Sequence, residues 1–83
     1  MLERESYMNL DQLSTGEKGE VIKLNAKGPF KKRLLEMGFI TGAVVKVVKY
    51  APLKDPVEYE LKGYHVSLRH EEAQQIEISK LDM

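Results

Sequence analysis

His65 and His70 are the only imidazoles in this 83-residue chain, and Cys is absent. Without Cys there is no thiol nucleophile, no thiolate metal site and no disulfide, so stability rests on apolar packing. The hydroxyls nearest a histidine in sequence are those of Ser67 and Tyr64. On an alternating strand Ser67 shares a face with His65, which makes a Ser67–His65 dyad geometrically conceivable. No acid is placed in the sequence to orient that imidazole, and two polar residues on a solvated strand face is the plainer reading. No glycine pattern that cradles phosphate is present. Neither a nucleophile beside a base nor a gathered set of titratable groups can be assembled, and no catalytic activity is expected.

The same two histidines, with nearby carboxylates, are of ligand types that suit iron or zinc. Their spacing argues against a shared site. Five residues apart on one continuous strand, His65 and His70 face opposite sides, and only a chain reversal after Arg69 would bring them together. Glu71 and Glu72 adjoin without sharing a helix face, and Glu58 and Glu60 read as the solvent side of a hairpin. His65 and His70 stand as candidate metal ligands, with solvated or structural histidines the plainer reading. No cofactor is required, and weak binding of iron or zinc is the most this set implies.

Positive charge gathers at Lys27, Lys31, Lys32 and Arg33, although 13 Lys plus Arg balance 13 Asp plus Glu overall. Cations near a helix N-terminus oppose the macrodipole, so they are not there to stabilise the helix. A solvated face is the bland reading. The sharper one is a docking patch for an acidic partner, formed by Lys31, Lys32 and Arg33 with Leu53, Lys54 and Asp55 of the loop 51–56. The zero net charge removes the field that non-specific nucleic-acid binding relies on.

The elements that must position these groups follow from periodicity. Eighty-three residues make one domain, which at this size buries about 60–65% of the surface its unfolded chain exposes. An apolar content of 42% with 31% charged residues is that of a chain that folds. Residues 1–7 read as a flexible extension and 8–83 as the domain, with early apolar anchors at Leu10 and Leu13. Gly16 and Gly19 suggest a tight turn feeding a strand over residues 20–24 with Ile22 and Leu24 inward. Residues 29–37 read as the main helix: Pro29 suits its first position, Phe30, Leu34 and Met37 repeat at i, i+4, i+7, and Gly38 can end it.

Residues 43–50 form a β-rich run in which Lys46 and Lys49 reach solvent together only if a bulge falls near Val47-Val48. Val57-Glu58-Tyr59-Glu60-Leu61, Lys62-Gly63 and Tyr64-His65-Val66-Ser67-Leu68 read as a hairpin with Val57, Tyr59, Leu61, Tyr64, Val66 and Leu68 inward. Tyr50, Tyr59 and Tyr64 are expected in the core or at its rim. A short helical turn over residues 70–75 and a brief strand over 76–78 complete a mostly β chain of about five strands, most economically curled into a small barrel.

The run Arg33-Leu34-Leu35-Glu36-Met37-Gly38-Phe39-Ile40-Thr41-Gly42 resembles the R-L-x-x-(L/M)-G-(apolar)-x-x-G signature of FeoA-domain proteins, small cytosolic components of ferrous iron uptake in bacteria and archaea. Residues 51–57 resemble that family's P-x-x-D-P loop. Residues 63–69, followed by Glu72-Ala73 and Ile76-Glu77-Ile78, resemble its C-terminal run. Three fragments in fixed order cover roughly residues 9–78. Two features depart from the pattern: residues 1–7 precede the family's usual start, and Lys54 stands where a small residue is frequent.

The resemblance implies an SH3-like barrel, a fold shared with the C-terminal domain of iron-dependent repressors. It also implies a role beside FeoB, a membrane permease with a cytosolic GTP-binding part. The leading expectation is therefore a non-enzymatic accessory protein that docks on such a permease and modulates it. The alternative is a metal-sensing regulatory module using His65 or His70. No apolar run approaches the roughly 20 residues needed to span a bilayer, and no basic-then-apolar leader opens the chain, so a cytosolic location and no membrane insertion are expected. Nucleic acid is not an expected partner, and short exposed edge strands permit a weak homodimer.

Overall fold

The computed structural model describes residues 7–50 and 55–81. In chain order these form β1 (Tyr7–Asn9), a single 3-10 turn (Leu10–Gln12), β2 (Lys18–Leu24), α1 (Gly28–Met37), β3 (Val44–Tyr50), β4 (Val57–Leu61), β5 (Tyr64–Leu68), α2 (His70–Ala73) and β6 (Ile76–Leu81). The strands make one antiparallel sheet in the order β1-β6-β2-β3-β4-β5.

Six strands replace the expected five because Tyr7–Asn9 pairs with β6, Tyr7 opposite Ser79 and Asn9 opposite Glu77. A three-residue strand has no alternation to read and exists by its partner alone. Tyr7 thus belongs to the sheet, while residues 1–6 of the expected extension lie outside the described residues. Pairing with β2, Lys18 opposite Leu81 and Gly19 opposite Lys80, lengthens β6 to Leu81, three residues past the expected end. Ser79 is flanked by β1 on one side and β2 on the other, and Lys80 is held by the ladder to β2.

On β2 the inward residue is Val21, fully buried, and not Ile22, which is only half-buried. A register shift against β6 between Val21 and Lys23 resets the parity, so Leu24 packs against the core from its edge. Gly19 is not a turn residue. It sits buried in β2 because a Cβ there would stand 2.7 Å from Ile78 Cδ1. The bulge expected on β3 is present, between Val47 and Lys49. It keeps Val45 and Val47 in the core while leaving Lys49 exposed and Lys46 half-exposed, and bulges at such points bend a sheet toward closure.

The β4–β5 hairpin turns through Lys62 (φ 48°) and Gly63 (φ 86°), positive at both central positions as a type I′ turn requires. Val57, Tyr59, Leu61 and Leu68 are buried, and Val66 is half-buried. Tyr64, expected inward, is 44% exposed at the rim, where its hydroxyl donates to the Met37 carbonyl. The side chain of Tyr50 lies outside what the structure describes.

Leu34 of α1 is fully buried, and with Leu10, Leu13, Val21, Phe39, Val45, Val47, Tyr59, Ile76 and Ile78 it forms one core between helix and sheet. Gly38 ends α1 in the left-handed region at φ 110°, and its N–H reaches the carbonyls of Leu34 and Leu35, as a glycine C-cap does. Among the described residues no helix is long and apolar enough to cross a membrane.

Candidate functional site

Nothing local favours the start of α1: Lys27 offers no side-chain cap, and the first turn holds no acid. Packing must hold the helix instead, through Leu34 with Phe30 and Met37 beside it. The lysines and arginine then point where geometry sends them. Successive helical residues step by about 100°, so Lys31, Lys32 and Arg33 cannot share one face. All three are exposed, but they diverge.

Arg33 turns toward α2. Its guanidinium lies 3.9 Å from Glu72 Oε2 and 5.9 Å from the centroid of the Phe30 ring. Glu72 is itself engaged, since its Oε1 accepts the Arg69 backbone N–H at 2.9 Å. Lys31 turns the other way, toward β2. Lys32 stands between them. The expected patch is therefore a ridge with two flanks.

Asp55, expected on the same docking surface, is half-buried and occupied internally. Its Oδ1 accepts the backbone N–H of His70 at 2.9 Å, and its Oδ2 lies 3.5 Å from the Arg69 guanidinium. The end of the 51–56 loop is thereby fastened to the start of α2. Leu53 and Lys54 lie outside the described residues.

His65 stands on the outer face of β5 with its side chain about half-exposed, Nδ1 2.5 Å from Glu58 Oε2 on β4. Glu60 is its direct cross-strand neighbour, and Ser67 is that of Glu58. An acid does therefore hold this imidazole, contrary to the sequence reading, because the diagonal contact across a hairpin is invisible until register is known. No hydrogen bond described for the structure joins the Ser67 hydroxyl to His65, and both residues are exposed. His70 sits half-buried at the start of α2. Among the described residues no group of three or more His, Asp or Glu side chains gathers where it could hold a metal ion.

One concavity was not anticipated. An open groove of about 590 Å³ runs between β2 and α1, lined by Ile22, Lys23, Leu24, Lys31, Leu35 and Phe39. Thr41 closes its end, the hydroxyl donating to the Ile22 carbonyl at 3.4 Å. Sequence reasoning missed it because Ile22 and Leu24 were assigned to the core. The available signal was Leu35: an apolar residue off the Phe30-Leu34-Met37 stripe, among charges, and 41% exposed. On the other flank of α1 a smaller groove of about 290 Å³ is lined by Phe30, Glu71, Glu72 and Gln75.

Comparison with known proteins places this geometry in context. The family model of the FeoA domain matches residues 8–80. A fusion of Fe(2+) transport protein A with the Fe(2+) transporter FeoB from Porphyromonas gingivalis is 46% identical over 71 residues, which are 86% of this chain and 8% of the fusion. A Fe(2+) transport protein A from Campylobacter jejuni is 35% identical over 87% of this chain and 97% of its own length. Among solved structures, the zinc complex of Stenotrophomonas maltophilia FeoA, an SH3-domain protein, superimposes with a TM-score of 0.76 at 25% identity, covering 86% of this chain and 88% of the other. The six-stranded sheet described above is accordingly an SH3-like fold.

Proposed function

Because the chain belongs to the FeoA domain family, whose relatives are tied to ferrous iron transport, we propose that it is a non-enzymatic cytosolic accessory protein that docks on the cytosolic, GTP-binding part of a FeoB-type permease and modulates it. The observation that carries this reading is the Porphyromonas gingivalis fusion, in which a domain 46% identical to this one is covalently part of the transporter chain. A tether supplies an effective concentration in the millimolar range for short flexible linkers. The exposed ridge of Lys31, Lys32 and Arg33 supports docking by offering positive charge to an acidic surface, a contact that governs encounter and orientation more than depth of affinity.

Titration of the protein against the purified cytosolic part of the cognate permease tests the reading. Saturable binding is expected, weakened about tenfold by simultaneous reversal of Lys31, Lys32 and Arg33 to Glu and weakened further by salt as exposed charges are screened. Absence of binding, together with unchanged ferrous iron uptake in a strain lacking this protein, would end it.

A further inference from the structure

We propose that the groove between β2 and α1 is the seat for an acidic, amphipathic helix of the partner, whose apolar stripe lies on Ile22, Leu24 and Leu35 and whose carboxylates meet Lys23 and Lys31. This rests on the docking reading above and names the segment of the partner that would be bound. Its volume of about 590 Å³ falls in the range of sites that take ligands of some size, and its apolar lining is reachable from outside, Leu35 being 41% exposed.

Charge selects the occupant. The groove has a lysine on each wall, Lys23 on β2 and Lys31 on α1, and no acid among its lining residues, in a chain whose charges sum to zero. Glu77 is the cross-strand neighbour of Lys23, but among the described residues neither lysine makes an ion pair. The opposite flank of α1 is the control within the same molecule, because there Arg33 already faces Glu72 and the groove is lined by Glu71 and Glu72.

Backbone bonding selects the mode. A strand added to β2 on this side would need free N–H and C=O groups. At the Thr41 end they are taken: Val21 N–H bonds to the Ala43 carbonyl, Gly42 N–H to that of Val21, and the Thr41 hydroxyl to that of Ile22. On its opposite edge β2 is laddered to β6, Lys23 opposite Glu77 and Leu24 opposite Ile76. What the groove offers is side chains, which is how a groove receives a helix through i, i+3, i+4 anchors.

Two probes separate this inference from the reading beneath it. The first is the purified cytosolic part of the cognate permease, titrated against wild type, Leu35→Asp, Lys31→Glu and Arg33→Glu, each checked by circular dichroism. Leu35→Asp is expected to weaken binding roughly tenfold, as loss of an interface anchor does, Lys31→Glu several-fold, and Arg33→Glu by less than Lys31→Glu because Arg33 already faces Glu72. The second is a synthetic capped peptide of about 14 residues, long enough to be marginally helical alone, with leucines at i, i+3, i+4, i+7 flanked by glutamates. Saturable shifts of the Ile22, Leu24 and Leu35 methyl resonances are expected.

If the permease part binds wild type and Leu35→Asp equally, or the peptide shifts only residues outside the groove, the inference is overturned while the docking reading stands. If the permease part does not bind but the peptide saturates the groove methyls, the docking reading fails and the recognition chemistry holds. A wild-type dimer in sedimentation equilibrium that Leu35→Asp makes monomeric would assign the groove to a second copy and overturn the proposal.

Discussion

On the α2 flank of α1, Arg33 faces Glu72 and overlies Phe30; on the β2 flank, two positions earlier, Lys31 faces an apolar groove and makes no ion pair among the described residues. One helix carries both, and the rotation of about 200° between them decides which charge is spent on the fold and which is left for a partner. A basic run in a sequence is thus not one surface. Where a cation finds an acid depends on what packs beside the helix, and α2 is held there by Asp55 and Glu72 through the His70 and Arg69 N–H groups.

Adjacent leucines sharpen the contrast most. Leu34 is fully buried and Leu35 is 41% exposed. Leu34→Ala leaves a cavity in the core and is expected to cost about 2–5 kcal/mol of unfolding free energy by urea denaturation. Leu35→Ala should stay within about 0.5 kcal/mol, as surface substitutions do. A large loss from Leu35→Ala would break the comparison, because the groove would then be part of the core's support and not a surface kept for binding.

The next effect lies where α1 ends. An Ala at Gly38 must hold φ 110°, and its Cβ would stand 2.8 Å from Tyr64 Oη, the hydroxyl that donates to Met37. Left-handed backbone costs an L-residue about 1–2 kcal/mol. Gly38→Ala should therefore destabilise by about that much, with part of the loss recovered in the double variant with Tyr64→Phe, where the opposing oxygen is gone. Strict additivity would show that backbone strain alone sets the cost and that Tyr64 does not clamp the helix end.

How much of this was legible follows from the reach of each signal. The α1 stripe, the Gly38 stop, the Lys62-Gly63 turn and the β3 bulge were readable because each is written in residues close together in sequence. The inward parity of β2 was not, because the shift that puts Val21 inside and Ile22 outside is imposed by β6, more than fifty residues away. The third dimension of the basic run was hidden for the same reason. Lys31, Lys32 and Arg33 were found as charges, but Arg33 to Glu72 and Asp55 to His70 are pairings between elements, and the groove needs β2 and α1 side by side before it exists.

A salt bridge elsewhere calibrates the α1 flank. Lys80 Nζ lies 2.8 Å from Glu17 Oε2, and the Glu17 carboxyl is held below its ordinary value chiefly by that hydrogen bond, then by the Ser14 N–H. A carboxylate lowered on folding stabilises the native state above its unfolded pKa of about 4.3 and loses that contribution as pH falls through the lower folded value. Glu17→Gln is expected to flatten the acid limb of stability against pH while changing nothing at the groove. An unchanged acid limb would mean that the contact persists with the carboxyl protonated.

The smallest effect is the most decisive for the comparison itself. At 3.9 Å, with the Arg33 side chain 61% exposed and that of Glu72 28%, the Arg33–Glu72 pair belongs to the class of surface ion pairs worth about 0–1 kcal/mol. A double-mutant cycle with Arg33→Ala and Glu72→Ala should return a coupling of that size, reduced in high salt. Any positive coupling is enough to bias Arg33 toward α2 and leave Lys31 as the cation presented for docking. A coupling of zero would free Arg33 for the same partner, and the two flanks would then differ in shape alone, with the apolar groove as the remaining reason for a partner to choose one over the other.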